Sequence, residues 1–575
     1  MRTDLAKLHS PHPMLSDDGT RLRTAADRLL RVLRPRFDRL WAYYRNPMRV
    51  ESTVVGDTAP QRPYRQAQEW GLPARITGVV AGENVFDGTV QPNVARKEVV
   101  VENDIGWRIE TQTDFLFGRP IVLNSASPDP SRRDLIEQLL RQTLANNGGL
   151  IFLQKLALLG AVYGQVDVLV KFKPDAAALA DASDTQSLGA RTDPPPSVPG
   201  LPPAGPAPDA DATPADANGD VIEPDPGARE AHSPETISRL ARMVVFEIVD
   251  PTRALPLLEP EDVRTVHAFA TVYQLDRADA PATKRPQKWW QSPFAKSTLP
   301  LDRTKKTIVE LITPTAWQKY DDFHLIASGP NTLGRLPLVH VQNVPDPLGY
   351  DGISDVEPLI PLQDELNTRL SDRAYRIALQ SFKMYLGKGI DNFADLPVTP
   401  GRMWSSDNPE ADVIAFGGDA GCPSEESHIA EVREAIDKLS GVSPVAAGAI
   451  RGKIGNLTSA EALRVTMLAL LSRTERRRSA YGTAIAQLCE LTLAWLDHSG
   501  LFRTTDADRA VQIHWPNPMP SNETDRLELA KLKQQVGIPR DVVLRELGYG
   551  DSDAAAFTSL SRVPKGESRR SDTLP

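Results

Sequence analysis

The segment from Gly349 to Trp495 constrains the fold most, because two helical blocks enclose a loop rich in small residues. The first block reads GISDVEPLIPLQDELNTRLSDRAYRIALQSFKMYLGKG, the loop reads VSPVAAGAIRGKIGN, and the second block begins GNLTSAEALRVTMLAL. In the second block a 3.6-residue apolar period from Ser459 to about Asp497 predicts a helix of about 58 Å. That length exceeds what a globular core needs. The pattern predicts a loop carried on a rigid helix, which suits a lumen better than an enzyme pocket.

Composition is typical of a globular protein. The chain has 575 residues, of which 41% are apolar and 25% are charged, so about two to four domains are expected. The most apolar stretch, Gly149–Val170, is interrupted by polar residues, and we predict neither a membrane span nor a secretory signal, hence a cytoplasmic compartment. Cys422 and Cys489 are too few for a disulfide framework or a structural zinc site, and we expect both to be buried.

Charge argues against a protein that coats nucleic acid, because the net charge is -9 and the sequence pI is about 5.6. The first 49 residues are nevertheless basic, with apolar residues at helical spacing that predict an amphipathic helix interrupted at Pro35. The residues of this stripe are Ala25, Leu29, Leu33, Phe37, Trp41 and Tyr44. Three interpretations remain open: a core stripe with a solvated face, contact with a partner subunit, or contact with an anionic surface.

The first 350 residues predict an α+β region with an insertion. LIFLQKLALLGAVYGQ predicts a helix that ends near Gly164. VDVLVKF, MVVFEIVDP, VHAFATVYQL, KKTIVELITPTAWQKY and LPLVHVQN predict strands of a mostly antiparallel sheet. The stretch at 174–234 is dominated by Pro, Ala, Asp and Gly, and it buries too little apolar surface to offset its ordering entropy. We predict that this insertion is disordered, as is the tail SRVPKGESRRSDTLP.

The candidate enzyme motifs in the sequence match known catalytic and metal-binding patterns poorly. GAIRGKIG resembles a phosphate loop, but three residues separate Gly448 from Gly452, and Ile454 stands where a Ser or Thr would bind magnesium. The histidines are scattered, without HExxH or paired CxxC motifs. Asp364 and Glu365 are adjacent and do not share a helix face. We therefore predict no catalytic residue, no metal site and no cofactor.

Both helical blocks carry charge. The first has one mainly acidic side, for which a solvated surface is the default interpretation. In the second, Thr458 and Ser459 offer N-caps, and the run RTERRR at Arg473–Arg478 interrupts the apolar stripe. That run fits a kink, a wet subunit interface or a phosphate contact, although a solvated face is the preferred interpretation.

Several segments in order resemble one protein family. They are WAYYRNP, NDIGWRIETQTDFLFGRP, LPLVHVQN with GISDVEPLIPLQDELNTRLSDRAY, TSAEALRVTMLAL and WPNPMPSNETDRLELAKL. From about Leu40 to Gly550 the chain resembles the portal proteins of tailed double-stranded DNA bacteriophages, the head-to-tail connectors. The resemblance implies a noncatalytic subunit of a dodecameric ring at one capsid vertex, through which the genome is packaged and ejected.

The resemblance also implies an architecture: an α+β portal fold with an α/β wing, a two-helix stem, a small clip, a tunnel loop followed by a long helix, and a short helical crown. The implied ranges are 1–352 for the wing, 353–385 and 426–441 for the stem helices, 386–425 for the clip, 442–457 for the tunnel loop, 458–498 for the long helix, and 499–575 for the crown and tail. The insertion at 174–234 lies within the wing and has no evident counterpart in the family.

Within that architecture, Arg451, Lys453 and Asn456 fall on the DNA-facing tunnel loop. A channel that passes DNA without gripping it should be mainly acidic, with few cations at its narrowest ring, because each cation paired with phosphate adds affinity. The alternative interpretation of the loop is a glycine-rich hinge between helices.

The partners implied by the resemblance are other copies of the chain, double-stranded DNA, the terminase motor, a head-tail adaptor and the major capsid or scaffolding protein, without a membrane. The expected location is the capsid portal vertex of the virion, after assembly in the host cytoplasm. Two alternative functions remain: a head-to-tail adaptor, although adaptors are usually shorter, and a nucleic-acid-processing enzyme, which would need a site absent from the motifs above.

Overall fold

The computed structural model describes most of the chain outside its proline-rich region. The described residues are 15–50, 64–173, 234–259, 261–262, 264–276, 305–380, 384–390, 407–416, 422–447, 464–519 and 523–547. The predicted insertion, apart from Pro234, and the predicted disordered tail lie outside them. The chain forms two compact units, Met1–Trp515 and Pro516–Pro575. Within the described part, no helix is long and apolar enough to cross a bilayer.

The helices of the first unit begin and end at local sequence signals. The side chain of Asn103 accepts a hydrogen bond from the amide of Gly106 at the start of α4. The side chain of Asp129 caps α5, and Pro130 occupies the first position of that helix. In chain order the helices are α1 (Leu15–Arg28), α2 (Arg34–Arg45), α3 (Ala74–Thr77), α4 (Asp104–Phe117), α5 (Pro130–Asn146), α6 (Gly149–Tyr163), α7 (Pro234–Met243), α8 (Ile360–Gln380), α9 (Pro423–Ser440), α10 (Leu468–His498) and α11 (Asp506–Arg509). Short 3-10 turns span Ala67–Gly71, Glu357–Leu359 and Pro444–Ala447.

The strands pair antiparallel throughout the described chain. They are β1 (Met48–Val50), β2 (Tyr64–Gln66), β3 (Val79–Ala81), β4 (Gly88–Val90), β5 (Val122–Ser125), β6 (Gln165–Phe172), β7 (Val244–Val249), β8 (Ala254–Leu258), β9 (Val266–Asp276), β10 (Lys305–Ile312), β11 (Ala316–Asp321), β12 (His324–Pro330), β13 (Leu338–Gln342), β14 (Met384–Lys388), β15 (Asp412–Phe416) and β16 (Val511–His514). The predicted strands are confirmed, but they divide between two sheets, ordered β13-β6-β7 and β12-β11-β10-β9-β8. KKTIVELITPTAWQKY forms the hairpin of β10 and β11 rather than one strand. The fold is therefore a mixed α+β structure with long helices and antiparallel sheets.

The N-terminal helical segment continues past the predicted interruption. A π-helical turn at Leu29–Leu33 joins α1 to α2, and Pro35 lies in the first turn of α2, where its missing amide cannot bond to the preceding turn. The helix is therefore irregular in the turn directly before Pro35, as the predicted interruption implies, but it does not end there. Leu29 and Phe37 are buried, so the core-stripe interpretation of this segment is confirmed.

The largest apolar core lies between the three-stranded sheet and α10. Six consecutive residues of β6, Gln165–Val170, are buried, and the indole of Trp495 on α10 donates a 3.0 Å hydrogen bond to the carbonyl of Val170. Tyr481, in the middle of α10, is wholly buried in the same core. The members of this core on α10 run from Tyr481 to Leu496, so the second half of the helix forms the core and its first half extends beyond it.

The chain is fixed tightly at the junction between α6 and the segment that leads into α8. Gly164 has φ +92°, and a Cβ there would overlap the carbonyl of Gly352, so only glycine fits without strain. The amide of Asp355 donates to the carbonyl of Ala161 at 2.9 Å, and the hydroxyl of Ser354 donates to the carbonyl of Val162 at 2.6 Å. These bonds attach the start of the α8 segment to the end of α6.

The second unit contains α12 (Glu523–Gln535) and α13 (Arg540–Leu547). Leu527, Leu529, Leu532 and Val536 are exposed on or just after α12. The strand β16, at residues 511–514, pairs with β5 and belongs to the first unit. The boundary between compact units therefore falls after Trp515, within the range predicted for the crown.

Candidate functional site

Helices α8 and α9 form an antiparallel pair joined by a β hairpin. The end of α8 contacts the start of α9 through an ion pair between Arg376 and Glu425, and β14 pairs with β15 between them. The first helix was predicted to run to residue 385, but it ends at Gln380, and Tyr385 lies in β14, so that boundary is wrong. The second helix begins at Pro423, close to its predicted start.

The sequence of α9 explains its ends. Pro423 occupies the first turn, Glu425 and Glu426 lie beside the positive end of the helix dipole, and Lys438 lies in the last turn. Gly441 then adopts φ +68°, the left-handed conformation that terminates helices. The pair packs through an apolar seam. Its buried members are Leu366, Leu370, Ile429, Val432 and Ile436.

The acidic side predicted for the first block does not form a solvated acidic surface on α8. Within its observed bounds this helix carries three acidic residues and three arginines. Two of the acids pair with cations of the same chain. Glu365 accepts from Arg369 at 2.7 Å and lies 3.0 Å from His428, and Asp372 pairs with Arg75 at 2.5 Å. The charge of α8 is therefore balanced locally.

The third acid of α8, Asp364, is partly buried. The hydroxyl of Tyr43 donates to its Oδ1 at 2.7 Å. Desolvation raises the pKa of Asp364 to about 6, against the lowering effects of the Tyr43 hydrogen bond and of the Arg39 charge. Arg39 itself lies over the ring of Trp70, with 4.4 Å between Cζ and the ring centroid.

A buried ion-pair network attaches α9 to α4. The wholly buried Arg108 of α4 pairs with Asp104 at 3.2 Å and with Asp437 of α9. One turn further along α4, the amide of Gln112 donates to the carbonyl of Ser440 at 2.9 Å. The last turn of α9 is thereby held by two polar side chains of one neighbouring helix.

The same helix also holds the start of α10. Arg477 of α10 donates to Oε1 of Gln112 at 3.1 Å and pairs with Asp355, which also accepts from Asn343 at 2.6 Å. Arg473 of α10 donates to the carbonyl of Leu439 at 2.7 Å. The end of α9 and the start of α10 therefore meet at one point.

The predicted DNA-facing residues belong to the segment between these two helices. Arg451, Lys453 and Asn456 lie outside the residues that the structure describes, as do Thr458 and Ser459. The described flanks are the 3-10 turn Pro444–Ala447 and the helical residues that precede a break at Met467. Arg473 donates a hydrogen bond to the carbonyl of Leu439. The segment between these two residues therefore begins and ends at the same place.

The observed α10 has 31 residues, which corresponds to about 46 Å. The predicted apolar stripe is confirmed at Leu470, Tyr481, Ile485 and Leu488, all buried. The solvated-face interpretation of RTERRR is wrong for Arg477 and Arg478, which are buried. Arg478 also lies over the ring of Trp515, at 5.4 Å.

Sequence reasoning missed the pairing of Arg108 with Asp437 and of Arg477 with Asp355. One local signal was present, because Arg108 follows Ile105 and precedes Ile109 on the buried side of α4. A charged residue in such an apolar register needs a buried partner. Asp104, four residues earlier on the same helix, is a partner that the sequence spacing allows, whereas Asp437 is too distant in the chain to be predicted.

Features of small catalytic sites are sparse in the described part of the chain. No group of three or more His, Cys, Asp or Glu residues there is arranged to hold a metal ion. Cys489 is buried as expected, whereas Cys422 is only partly buried, at the start of α9, so its predicted burial is wrong. There its Sγ lies 3.6 Å from the hydroxyl of Ser424.

Replacing Arg108 with alanine should destabilise the protein strongly. The change leaves Asp104 buried without its cation, which costs roughly 3–5 kcal/mol. The matched control is Arg369→Ala, which removes a half-exposed pair on α8 and should cost roughly 0–1 kcal/mol. Urea-induced unfolding followed by circular dichroism measures both; equal effects of the two substitutions would contradict a structural role for the network.

Stability should depend on pH through Asp364. Because its folded pKa of about 6 exceeds the ordinary 3.8, the folded state binds this proton more tightly than the unfolded chain does. This contribution to stability is full below pH 3.8 and is lost as pH rises through about 6. Asp364→Asn should therefore exceed the parent in stability by roughly 3 kcal/mol at pH 8 and come close to it at pH 4.

Unfolding free energies of the parent and the variant at the two pH values test this expectation. Asp372→Asn on the same helix is the control, since it removes an ion pair with Arg75 and should not stabilise the protein at pH 8. An equal difference between parent and Asp364→Asn at both pH values would refute the assigned role of Asp364.

Comparison with known proteins identifies the family. The family model described as "Phage portal protein, SPP1 Gp6-like" matches residues 243–554, more than half of the chain. No curated protein matches the chain significantly. The matched range includes β7 to β16, the antiparallel pair α8 and α9, and the whole of α10. The chain belongs to the family of SPP1 Gp6-like phage portal proteins.

Proposed function

We propose that the antiparallel pair α8 and α9 lines a ring-shaped channel and that the loop at 442–457 projects into it towards DNA. One observation carries this proposal: Arg473 binds the carbonyl of Leu439, so the segment between α9 and α10 leaves and returns at one point. As a phage portal protein, the chain is a structural, non-enzymatic component of the capsid vertex and forms the DNA channel there.

The observed elements support a division of the chain into functional parts. We assign the wing to residues 1–352, the stem to α8 and α9, the clip to the segment between these two helices, which includes β14 and β15, the tunnel loop to 442–457 and the long helix to 458–498. The pairing of β16 with β5 supports a crown that begins after Trp515 rather than at residue 499. The exposed leucines of α12 would then face neighbouring copies in that crown.

The acidic surface of the channel is better assigned to α9 than to α8. Helix α9 carries five acidic and two basic residues, whereas α8 is balanced. Glu426, Glu431 and Glu434 of α9 are exposed. Carboxylates at these positions repel phosphate, so the duplex passes without the affinity that each cation would add.

Arg451 and Lys453 supply cations on the tunnel loop, where a small number would steer or hold the duplex without gripping it along its length. Asn456, closer to the long helix, adds a neutral hydrogen-bonding group. The alternative role for this loop, a hinge between α9 and α10, needs no contact with DNA and predicts no effect of its charge.

Assembly follows from the family. Portal proteins act as oligomeric rings that interact with DNA and with the terminase. We propose a dodecamer whose clip contacts the terminase motor and later a head-tail adaptor, and whose wing contacts the major capsid or scaffolding protein. The charge of the tunnel loop is then repeated around the ring axis, which concentrates cations at one level of the channel.

The test is electron microscopy of the purified protein viewed end-on, followed by DNA packaging with the parent and with Arg451→Ala/Lys453→Ala. We expect closed rings from both proteins, since the substitutions lie outside the described core. We expect the double variant to package or retain less DNA, with a weaker salt dependence of DNA engagement, because phosphate contacts are lost.

Asn456→Ala is the neutral control on the same loop and should alter DNA handling less. A parent protein that behaves as a single species near 63.0 kDa would contradict the ring. Normal packaging and retention by the double variant would instead refute only the DNA-facing role of the two cations.

A further inference from the structure

A basic cavity lies where the start of α10 meets the end of α9. Its volume is about 330 Å³. Three guanidinium groups, those of Arg473, Arg476 and Arg477, line it together with one carboxylate, that of Asp355. Three arginines of the charged run that the sequence analysis assigned to a solvated face thus line an open cavity.

The single carboxylate is already occupied. Asp355 pairs with Arg477 and accepts a hydrogen bond from Asn343. Arg473 lies 4.0 Å from the other oxygen of Asp355. Arg476 is exposed at the mouth and forms no ion pair with any residue in the described ranges. The cavity therefore carries a surplus of positive charge.

Two further observations show that this surplus is costly. The Nε atom of the buried Arg477 has no hydrogen-bond partner in the described structure. Burial lowers the pKa of Arg473, and the neighbouring Arg477 and Arg476 lower it further, while Asp355 raises it. Clustered cations at a partly buried site are stabilised when an anion with good hydrogen-bond geometry joins them.

The surroundings of the cavity favour a protein carboxylate over a DNA phosphate. Its wall includes Ile353 and Leu439, whose exposed fractions are 51% and 46%. Apolar side chains beside guanidinium groups are typical of protein interfaces, where arginine is enriched. The deepest cation, Arg477, is buried, so an acidic side chain reaches it more readily than a phosphate fixed on a duplex.

Charge complementarity identifies the partner as a second copy of this chain. The net charge of the chain is -9, with 75 Asp and Glu residues against 66 Lys and Arg residues, so a cavity with surplus positive charge is complementary to the chain's own acidic surface. Ring contacts are heterologous, so a basic site on one face of a subunit meets a different face of its neighbour.

We propose that the cavity formed by Arg473, Arg476 and Arg477 binds an Asp or Glu side chain of the neighbouring subunit when the ring closes. This inference rests on the ring assembly proposed above. The bound carboxylate accepts hydrogen bonds from the accessible guanidinium groups of Arg476 and Arg473, and the apolar wall excludes water from these bonds. The site links the base of the tunnel loop in one subunit to the next subunit.

The experiment measures ring assembly without DNA. Light scattering over a range of chain concentrations gives the concentration at which half of the chains are in rings. We expect Arg476→Glu to raise that concentration at least about tenfold, and Arg476→Ala to raise it less, because a loss of about 1.4 kcal/mol per contact is tenfold in affinity. Arg476 is exposed, so both variants should fold, as circular dichroism verifies.

Arg141→Ala is the matched control, since Arg141 is an exposed arginine of α5 outside the cavity, and it should assemble like the parent. Assembly of Arg476→Glu at the parent's concentration overturns the proposal. The proposal is also overturned if Arg476→Glu assembles like the parent but binds duplex DNA more weakly and with less salt dependence. That result would show that the cavity binds phosphate. If the parent forms no ring, the proposed function and this inference both fail. If the parent and both Arg476 variants form rings at the same concentration, the inference alone is refuted.

Discussion

The arrangement of the long helices depends on the ion pairs of one buried guanidinium group, that of Arg108. A charge inside a protein is tolerated only with partners in place, so Arg108 requires both Asp104 on its own helix and Asp437 on α9. Gln112, one turn away, extends the same requirement to Ser440 and to Arg477 of α10. Helix α4 thereby fixes the end of one helix and the start of another, and apolar packing alone would not specify that register.

The sequence predicted the elements better than their partners. The apolar period of α10, the antiparallel strands and the end of α6 at Gly164 were readable, because each depends on neighbouring residues. The pair of Arg108 and Asp437 spans 329 positions, and that of Arg477 and Asp355 spans 122. The pattern of neighbouring residues does not show which distant residue pairs with a charged side chain. For that reason the run RTERRR was interpreted as a solvated face. The roles of Arg451, Lys453 and Asn456 stay predictions.

Charge is distributed differently from what a linear reading indicates. Acids in the first helical block were counted along the sequence, but on the observed α8 they are balanced by arginines of the same helix and by Arg75. Unbalanced carboxylates lie on α9, whereas unbalanced cations lie at the start of α10. The two helices that meet at Leu439 therefore present opposite charge, as the two different roles proposed for them require.

The bond between Arg473 and Leu439 has a consequence for how such a protein can diversify. With the base closed, residues inserted between α9 and α10 need not move either helix, and each doubling of loop length costs only about 0.6 kcal/mol. Loop length and composition are thus free to change while the surrounding framework stays constant. In the proposed channel, the width of the opening is consequently an evolvable quantity, set separately from the body of the subunit.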